Sequence, residues 1–445
     1  MSSSFAHVSS NAFVLTRDHI SQLRCASLSR AHSGVADTLE HTLHEIIAYH
    51  LAVHAKEETP CTLALWNRLP RILQRSASRN VLSRQALDGE NKYLVRIWGQ
   101  RCAQHVAAFD DWSAISAAVR DSVLCMREST IRKHGSDALL FMREMEAYFE
   151  QCLKDGTGFT SADVDNFVSE SIPTEVAGFQ DLRLSLRRSI PILVTVNGRG
   201  QRIASDHNRL VTIAPRKNGE WETVSELGGL VLCALRYFDA YGPATEQDFR
   251  HWMGISAGKS QCALKVCRDS GEIRVVQTVI GQMMLHRRRF TELERLRNGQ
   301  ITIKRRVWFL GRFDPLLVAY KDKDWIAKDG WREWEEIPNW WGGDRSLNPG
   351  GSAAVLVDGW IGGSWQWSRP TGGPTTIFVI LFHSLGGDEA DDLLLEVRKT
   401  GMQILSQFCG QDGTVSVRFT SSSNVAPKVS FSARHISETE AIILD

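Results

Sequence analysis

Paired cysteines are missing from this chain. Its nine cysteines are scattered without a Cys-x-x-Cys pair, and Cys262 and Cys267 stand apart from other residues that could complete a metal site. Disulfide frameworks and structural zinc sites both need such groupings. We therefore expect reduced thiols, no disulfide and no bound metal.

Long apolar runs are missing as well. The sequence contains no stretch of about 18 consecutive apolar residues, which is the length that crosses a bilayer. Its first residues, MSSSFAHVSSNAF, are rich in serine but lack the cationic start and long apolar centre of a secretory signal. These features predict a cytoplasmic protein that does not enter a membrane.

An excess of charge of either sign is also absent. Lys and Arg number 52 against 51 Asp and Glu, so the formal net charge is +1. A nucleic-acid surface on such a protein has to come from local segregation of charge. With 445 residues, of which 43% are apolar and 23% charged, the chain is long enough for three or four globular domains.

The chain is organised around one stretch, ALRYFDAYGPATEQDFRHWMGI (234–255). Pro243 cannot continue the first helix, because it lacks an N–H and clashes with the preceding turn. Thr245 can cap a second helix, with Asp248 as its partner three residues later. Helix, short turn and helix is the helix-turn-helix arrangement, and one of its uses is to place a helix in a DNA groove.

A second module is predicted upstream of this stretch. An amphipathic helix over 137–155 and a further helix precede PILVTVNGRGQRIASDHNRLVTIAP (191–215), which reads as two strands joined by a turn at 197–200. Two helices and a hairpin predict a winged helix. Arg199 and Arg202 would lie at its wing tip, either as phosphate contacts or as solvated turn residues.

The strongest cationic run is HRRRFTELERLRNGQITIKRR (286–306), which follows the helix-turn-helix. Release of counterions from a phosphate backbone is a physical reason for such a run, and a solvated charged face is the alternative. Its basic residues are Arg287, Arg288, Arg289, Arg295, Arg297, Lys304, Arg305 and Arg306.

The C-terminal part differs in composition, since eight of the fourteen tryptophans lie between Trp325 and Trp367, among many glycines. AAVLVDGWIGGSWQW, TIFVILF and TVSVRFT resemble strands, and residues 388–408 form an amphipathic pattern with an acidic first turn. This composition predicts a β-rich, barrel-like domain with a packed helix. The tryptophans are expected in its core rather than on stacked nucleobases.

The N-terminal residues 13–56 have a helical pattern, and Thr59-Pro60 is expected to end it. His54 and Lys56 lie at its exit, where an extended chain would place both side chains on one side. The simple interpretation makes His54 a filler of the buried helix edge. It makes Lys56 a solvated cation that the helix macrodipole favours.

The segment YLVRIWGQRCAQHVAAFDDW (93–112) interleaves polar and aromatic residues. Arginine can clamp a phosphate with its forked donors, but it serves equally often as a structural ion-pair partner. The candidate DNA contacts in this segment are Arg96, Gln100, Arg101 and His105. Asp110-Asp111 is predicted to cap the helix that starts at Trp112.

Four blocks in the same order resemble the AlkZ/YcaQ-like winged-helix DNA glycosylases. They are the segment 93–112, the helix-turn-helix 234–255, FLGRFDPLLVAYKDK (309–323) and AAVLVDGWIGGSW (353–365). The resemblance implies an α+β protein with three tandem winged-helix modules and a C-terminal β-rich barrel-like domain. The expected domains are 1–125, 126–225, 226–300 and 301–445.

The resemblance also implies an activity, the excision of alkylated purines from double-stranded DNA by a monomeric enzyme that needs no metal or organic cofactor. Aligned without gaps, His54-Ala55-Lys56 falls where the family carries its catalytic Gln-x-Gln or Gln-x-Asp, and a gapped alignment would use Ala52-Val53-His54. His54 suits the role of water activator. Lys56 would hold a phosphate or, as a neutral amine, attack the sugar.

Two alternatives stay open at this point. A non-catalytic damage sensor or regulator could keep the fold and lose the glutamines. A self-resistance glycosylase could protect a producer of a DNA-alkylating natural product. In each case we expect the protein in the cytoplasm, associated with the nucleoid.

Overall fold

The computed structural model describes most of the chain outside the N- and C-terminal tails and residues 152–223. The described ranges are 14–29, 38–55, 57–87, 90–135, short pieces of 139–151, 192–194, 211–213, 224–299, 307–321, 353–368, 374–381, 388–410 and 413–419.

These ranges contain both helices and strands. The helices are α1 (Arg17–Ser29), α2 (Leu39–Tyr49), α3 (Glu58–Trp66), α4 (Arg71–Gln74), α5 (Arg79–Ala86), α6 (Trp112–His134), α7 (Glu226–Ala240), α8 (Glu246–Met253), α9 (Ala257–Asp269), α10 (Phe290–Arg297), α11 (Pro315–Val318) and α12 (Asp388–Gln403). The strands are β1 (Ala52–His54), β2 (Leu94–Trp98), β3 (Gln104–Ala108), β4 (Ile192–Val194), β5 (Val211–Ile213), β6 (Ile273–Thr278), β7 (Gly281–His286), β8 (Val307–Leu310), β9 (Ala354–Val357), β10 (Trp360–Ser368), β11 (Thr375–Leu381) and β12 (Gly413–Phe419).

The predicted helix-turn-helix is confirmed as α7 and α8. The chain breaks after Ala240, and the Thr245 hydroxyl accepts a hydrogen bond from the Asp248 amide while the Asp248 carboxylate accepts one from the Thr245 amide. Gly254 ends α8 in the left-handed region, with φ +74°. Then α9 and the β6–β7 hairpin follow, so three helices precede an antiparallel ribbon.

The α7 helix lies at the centre of a hydrophobic core, because it packs against both α6 and α9. Gly229 permits the closest approach, since a Cβ there would lie 2.3 Å from the Ala114 carbonyl oxygen of α6. The Lys259 ammonium of α9 bonds the carboxylates of Asp121 on α6 and Glu226 on α7. This lysine of α9 is therefore engaged within the protein.

The N-terminal sheet has the strand order β1-β3-β2-β4-β5. Its last two strands come from the predicted second module, and they extend the sheet of the first module. Val194 pairs with Val211, and the turn predicted at 197–200 lies outside the described residues. The expected boundary between residues 125 and 126 falls inside α6.

The C-terminal sheet has the order β12-β11-β10-β9-β8. Its pairs are antiparallel except β11–β12, which are parallel and connected through α12. The predicted strands and helix are present, but the described strands form an open sheet rather than a closed barrel. Trp360 and Trp365 are buried in this region, as expected for core tryptophans.

The predicted helical span 13–56 is wrong after Tyr49, where the second helix ends. After α2 the chain turns at Leu51, whose φ is +65°, and continues as strand β1. Pro60 does not stop a helix but lies in the first turn of α3, where its missing N–H has no helical partner to lose. Asp111 stands at the start of α6 without a side-chain cap, and its carboxylate lies 3.7 Å from Arg236 instead.

A buried polar network connects the N-terminal region to the helix-turn-helix. The Arg68 guanidinium donates to both carboxylate oxygens of Asp314, at 2.9 and 2.7 Å, and to His50 Nε2 at 3.0 Å. His50 Nδ1 lies 3.1 Å from the Tyr241 hydroxyl. Since Nε2 accepts, Nδ1 carries the proton of a neutral imidazole. We call these four residues the Arg68 network.

Candidate functional site

His54 lies at the exposed end of β1, in the segment where the sequence predicted catalytic residues. The strand is extended here, and its short ladder pairs His54 with His105 of β3. The side chain of His54 is half-buried. Lys56, the other predicted catalytic residue, lies outside the described residues.

The two imidazoles form a pair across the strands. Their ring centroids are 5.4 Å apart, with planes at 78°. His105 is buried, and its Nδ1 lies 2.9 Å from the Ala103 carbonyl oxygen, which fixes Nδ1 as the donor and leaves Nε2 without its proton. Burial and the neighbouring His54 lower the pKa of His105 to about 3. At neutral pH His105 is therefore an uncharged neighbour of His54.

Phe313, from the C-terminal half of the chain, is the third ring of this cluster. Its ring stacks on His54 with a centroid distance of 4.6 Å and an interplanar angle of 26°. Its backbone has φ +58°, a value that residues with a Cβ rarely adopt. The block 309–323 pointed to this segment, but the sequence did not identify Phe313 as a site residue.

Arg96 supports the backbone next to His54. It is buried, and its Nη2 donates to the Ala55 carbonyl oxygen at 3.0 Å and to the Gln104 Oε1 at 2.9 Å. These contacts tie the end of β1 to its neighbouring strands. The burial of Arg96 argues against the direct DNA contact predicted for it.

Gln100 and Arg101 form a tight turn between β2 and β3. Gln100 is 3% exposed, and neither its side-chain oxygen nor its side-chain nitrogen has a hydrogen-bond partner among the described residues. Arg101 has φ +54° and an exposed side chain. Its backbone packs against Gly254, where a Cβ would lie 3.2 Å from the Arg101 Cα. The predicted contact segment therefore meets the turn between α8 and α9.

The arginine triplet after β7 divides between surface and core. Arg287 is exposed and bonds Glu272 at 2.8 Å. Arg288 is exposed, and no ion pair joins it to any residue that the structure describes. Arg289 is fully buried and donates to Glu292, to the Asp239 carbonyl and to the Leu23 carbonyl.

The placement of Arg289 corrects the prediction that it contacts DNA. Its guanidinium bonds groups on α1, α7 and α10 inside the protein and is not accessible to DNA. The remaining predicted DNA contacts, which are Arg199, Arg202, Lys304, Arg305 and Arg306, lie outside the described residues.

Two further properties of the described residues bear on the site. No three His, Cys, Asp or Glu side chains among them come together as metal ligands would. None of the helices in these ranges has both the length and the apolar character needed to cross a bilayer.

The geometry supplies a half-buried imidazole, a second imidazole held neutral beside it and a buried arginine that fixes the adjacent backbone. A neutral imidazole can accept a proton from water near pH 7. The same residues lie in a chain that belongs to the AlkZ-like family of DNA glycosylases. The family model described as "DNA glycosylase AlkZ-like" matches residues 47–401, which include His54, His105 and Phe313.

Among solved structures, the DNA glycosylase AlkZ of Streptomyces sahachiroi has a similar fold. The TM-score is 0.66 at 16% sequence identity, and the superposition covers 92% of this chain and 100% of that one. At this identity the likeness shows the fold. No curated protein matches the sequence.

Proposed function

We propose that this protein hydrolyses the N-glycosidic bond of alkylated purines in double-stranded DNA, with His54 as the residue that activates water. Membership of the DNA glycosylase family supports the reaction class. The observation that supports the residue is the pairing of half-buried His54 with neutral His105 at the end of β1.

An alkylated purine leaves with little need for protonation by an acid catalyst. Alkylation at a ring nitrogen puts positive charge on the purine, so the base leaves with its electron pair and becomes neutral. The sugar develops cationic character, and a water has to be held and deprotonated as it attacks. The lesion must first leave the base stack to reach a protein side chain.

His54 fits the proton-accepting role better than its neighbours. His105 is buried, with its Nδ1 committed to Ala103, and Arg96 is a permanent cation committed to Ala55 and Gln104. Two close imidazoles disfavour double protonation, because a second positive charge would repel the first. A positive site would also oppose the developing sugar cation.

Lys56 is proposed as a contact to the phosphate beside the flipped nucleotide. A protonated amine next to the sugar would oppose the reaction, whereas a phosphate two bonds away attracts it. Direct attack by a neutral amine is the alternative, and it differs by forming a covalent adduct that borohydride can trap.

The DNA surface is proposed to include Arg101, Arg287 and Arg288. All three are exposed, and Arg101 adjoins the turn between α8 and α9. We propose that α7, α8, α9 and the β6–β7 ribbon act as a winged helix, as one of three such modules. Arg199, Arg202, Lys304, Arg305 and Arg306 remain proposed contacts from the sequence, as does a cytoplasmic, nucleoid-associated monomer.

The test is single-turnover excision from a duplex that carries one N7-alkylguanine. His54→Ala should lower the rate by roughly 100-fold or more, the range that general-base catalysis supplies, with DNA affinity nearly unchanged. His41→Ala, an exposed histidine of α2, is the matched control and should leave the rate unaltered.

A second variant compares this chain with its family. His54→Gln restores the glutamine that the family carries there, and it should retain more activity than His54→Ala, because an amide can still hold the water. If the wild type releases no base from any alkylated duplex but binds DNA, the protein is a non-catalytic DNA-binding module. Equal rates for His54→Ala and the wild type would remove His54 from the mechanism.

A further inference from the structure

We propose that Phe313 is a positioning residue, whose ring fixes the plane of the His54 imidazole for water activation at the cost of an unfavourable backbone conformation. This inference rests on the proposed function of His54. It adds a residue of the C-terminal half of the chain to a site that the sequence assigned to the N-terminal half.

The stacking geometry leaves His54 little freedom. The torsion that rotates an imidazole about its Cβ–Cγ bond is broad, so an isolated histidine side chain samples many ring planes. In this protein the His54 ring stacks on Phe313 at 4.6 Å between centroids, and its centroid lies 5.4 Å from that of His105, with the two imidazole planes at 78°. The stack on Phe313 sets the plane of the His54 ring, and His105 limits its rotation from a second position.

The backbone of Phe313 supports a functional explanation for this contact. Its φ of +58° lies in the left-handed region, where a Cβ is crowded and glycine or asparagine is favoured. Such conformations persist only where the surroundings impose them, and they concentrate at functional sites. A phenylalanine at this position therefore carries a backbone penalty that a glycine would not.

The surroundings that impose this conformation are visible on both sides of Phe313. Asp314 is fully buried, accepts two hydrogen bonds from Arg68 and caps α11 through the Leu316 amide at 2.9 Å. On the other side, Gly311 packs against the first turn of α3, where a Cβ would lie 3.1 Å from the Pro60 Cα. Phe313 is held between two fixed points and cannot relax without breaking one of them.

A cation lies close to the same ring. The Arg312 guanidinium is 5.5 Å from the Phe313 ring centroid, within the range of a cation–π contact. The Phe313 ring therefore has a partner besides His54. Loss of the ring is expected to release both neighbours.

The experiment compares four variants on the same alkylated duplex. Phe313→Tyr keeps the ring, Phe313→Leu keeps apolar volume, and Phe313→Asn and Phe313→Gly relieve the backbone. We expect Phe313→Tyr to excise at close to the wild-type rate. The other three should lose roughly 10- to 100-fold in the single-turnover rate, because misplacing a catalytic group is costly. The dissociation constant for DNA should stay within about twofold in all four, since the ring is assigned to positioning rather than to DNA binding.

Two further readouts separate positioning from folding. Phe313→Gly should still fold and melt in one cooperative transition while it excises slowly, because the backbone strain is relieved as the stack is lost. The imidazole protons of His54, assigned by their loss in His54→Ala, should show an upfield ring-current shift in the wild type and Phe313→Tyr that disappears in Phe313→Leu.

The outcomes also separate this proposal from the function on which it rests. A wild type that releases no base removes the proposed function and this role with it. An active wild type with an equally active Phe313→Leu overturns only the role of Phe313. So does a His54 ring-current shift that Phe313→Leu leaves unchanged.

Discussion

Two regions of this molecule are both built around a histidine but differ in the contacts that hold it. In the Arg68 network, an arginine, a carboxylate, a histidine and a tyrosine bond one another, and all four are buried. At the candidate site, His54 is half-buried and contacts its neighbours through ring packing. The chain joins the two regions at Phe313-Asp314.

The comparison indicates how one fold serves two purposes. A closed network of buried charges is poorly suited to accept a substrate, because each side-chain nitrogen and oxygen in it already has a hydrogen-bond partner. Its contribution is to hold segments that are far apart in the sequence. The half-buried imidazole of His54 lies on an edge strand, and its stacking partner Phe313 depends on the neighbouring network for its position.

The largest expected effect comes from breaking the Arg68–Asp314 pair. Arg68→Ala leaves a buried carboxylate without its partner, which typically costs about 3–5 kcal/mol of unfolding free energy. Chemical denaturation measures it. The double variant Arg68→Met/Asp314→Leu removes both charges and should recover a large part of the loss. A double variant no more stable than Arg68→Ala would show that packing, not the unpaired charge, dominates.

The next effect in size comes from acid, which should destabilise both regions because each contains a buried histidine. The pKa of His50 is lowered by burial and by Arg68, and the pKa of His105 is lowered to about 3. The unfolded chain binds protons on both near pH 6.5 and the folded protein does not. Their neutral forms therefore stabilise the protein fully above about pH 6.5, and stability falls as the pH drops toward 3.

His105→Asn isolates one of these contributions, because the amide can still donate to Ala103 but does not titrate. Between pH 6.5 and 4, the wild type should lose up to about 1.4 kcal/mol more per pH unit than this variant. Thermal melts at matched ionic strength measure the difference. Parallel pH profiles for the two proteins would mean that His105 is already protonated or accessible in the folded state.

The smallest effect separates the arginines of the basic run. Arg287→Ala/Arg288→Ala should flatten the salt dependence of DNA binding by up to about 2 units, roughly 0.9 per phosphate contact, with little change in stability.

Arg289→Ala should instead destabilise the protein, since Glu292 and two backbone carbonyls lose a buried donor. A steeper loss of DNA binding in a fully folded Arg289→Ala protein would contradict this division.

Local features were determined by the sequence alone. The break at Tyr241-Gly242-Pro243 and the Thr245–Asp248 cap depend on residues within a few positions of one another, and the structure confirms both. The C-terminal strands followed from alternation and turn residues in the same way. Four ordered blocks were enough to predict the family, which the family model shows. Each of these features depends on residues that are close together in the sequence.

The site depended on contacts that adjacent residues do not encode. His54 meets His105 through strand pairing and Phe313 through a contact that spans most of the chain, and a helical pattern across 13–56 concealed the strand that carries it. Arg288 and Arg289 are identical neighbours in the sequence, yet one is solvated and the other fully buried. Burial and long-range pairing follow from the packing of whole elements, and for that reason only the tertiary structure decided which of these charges and rings form the site.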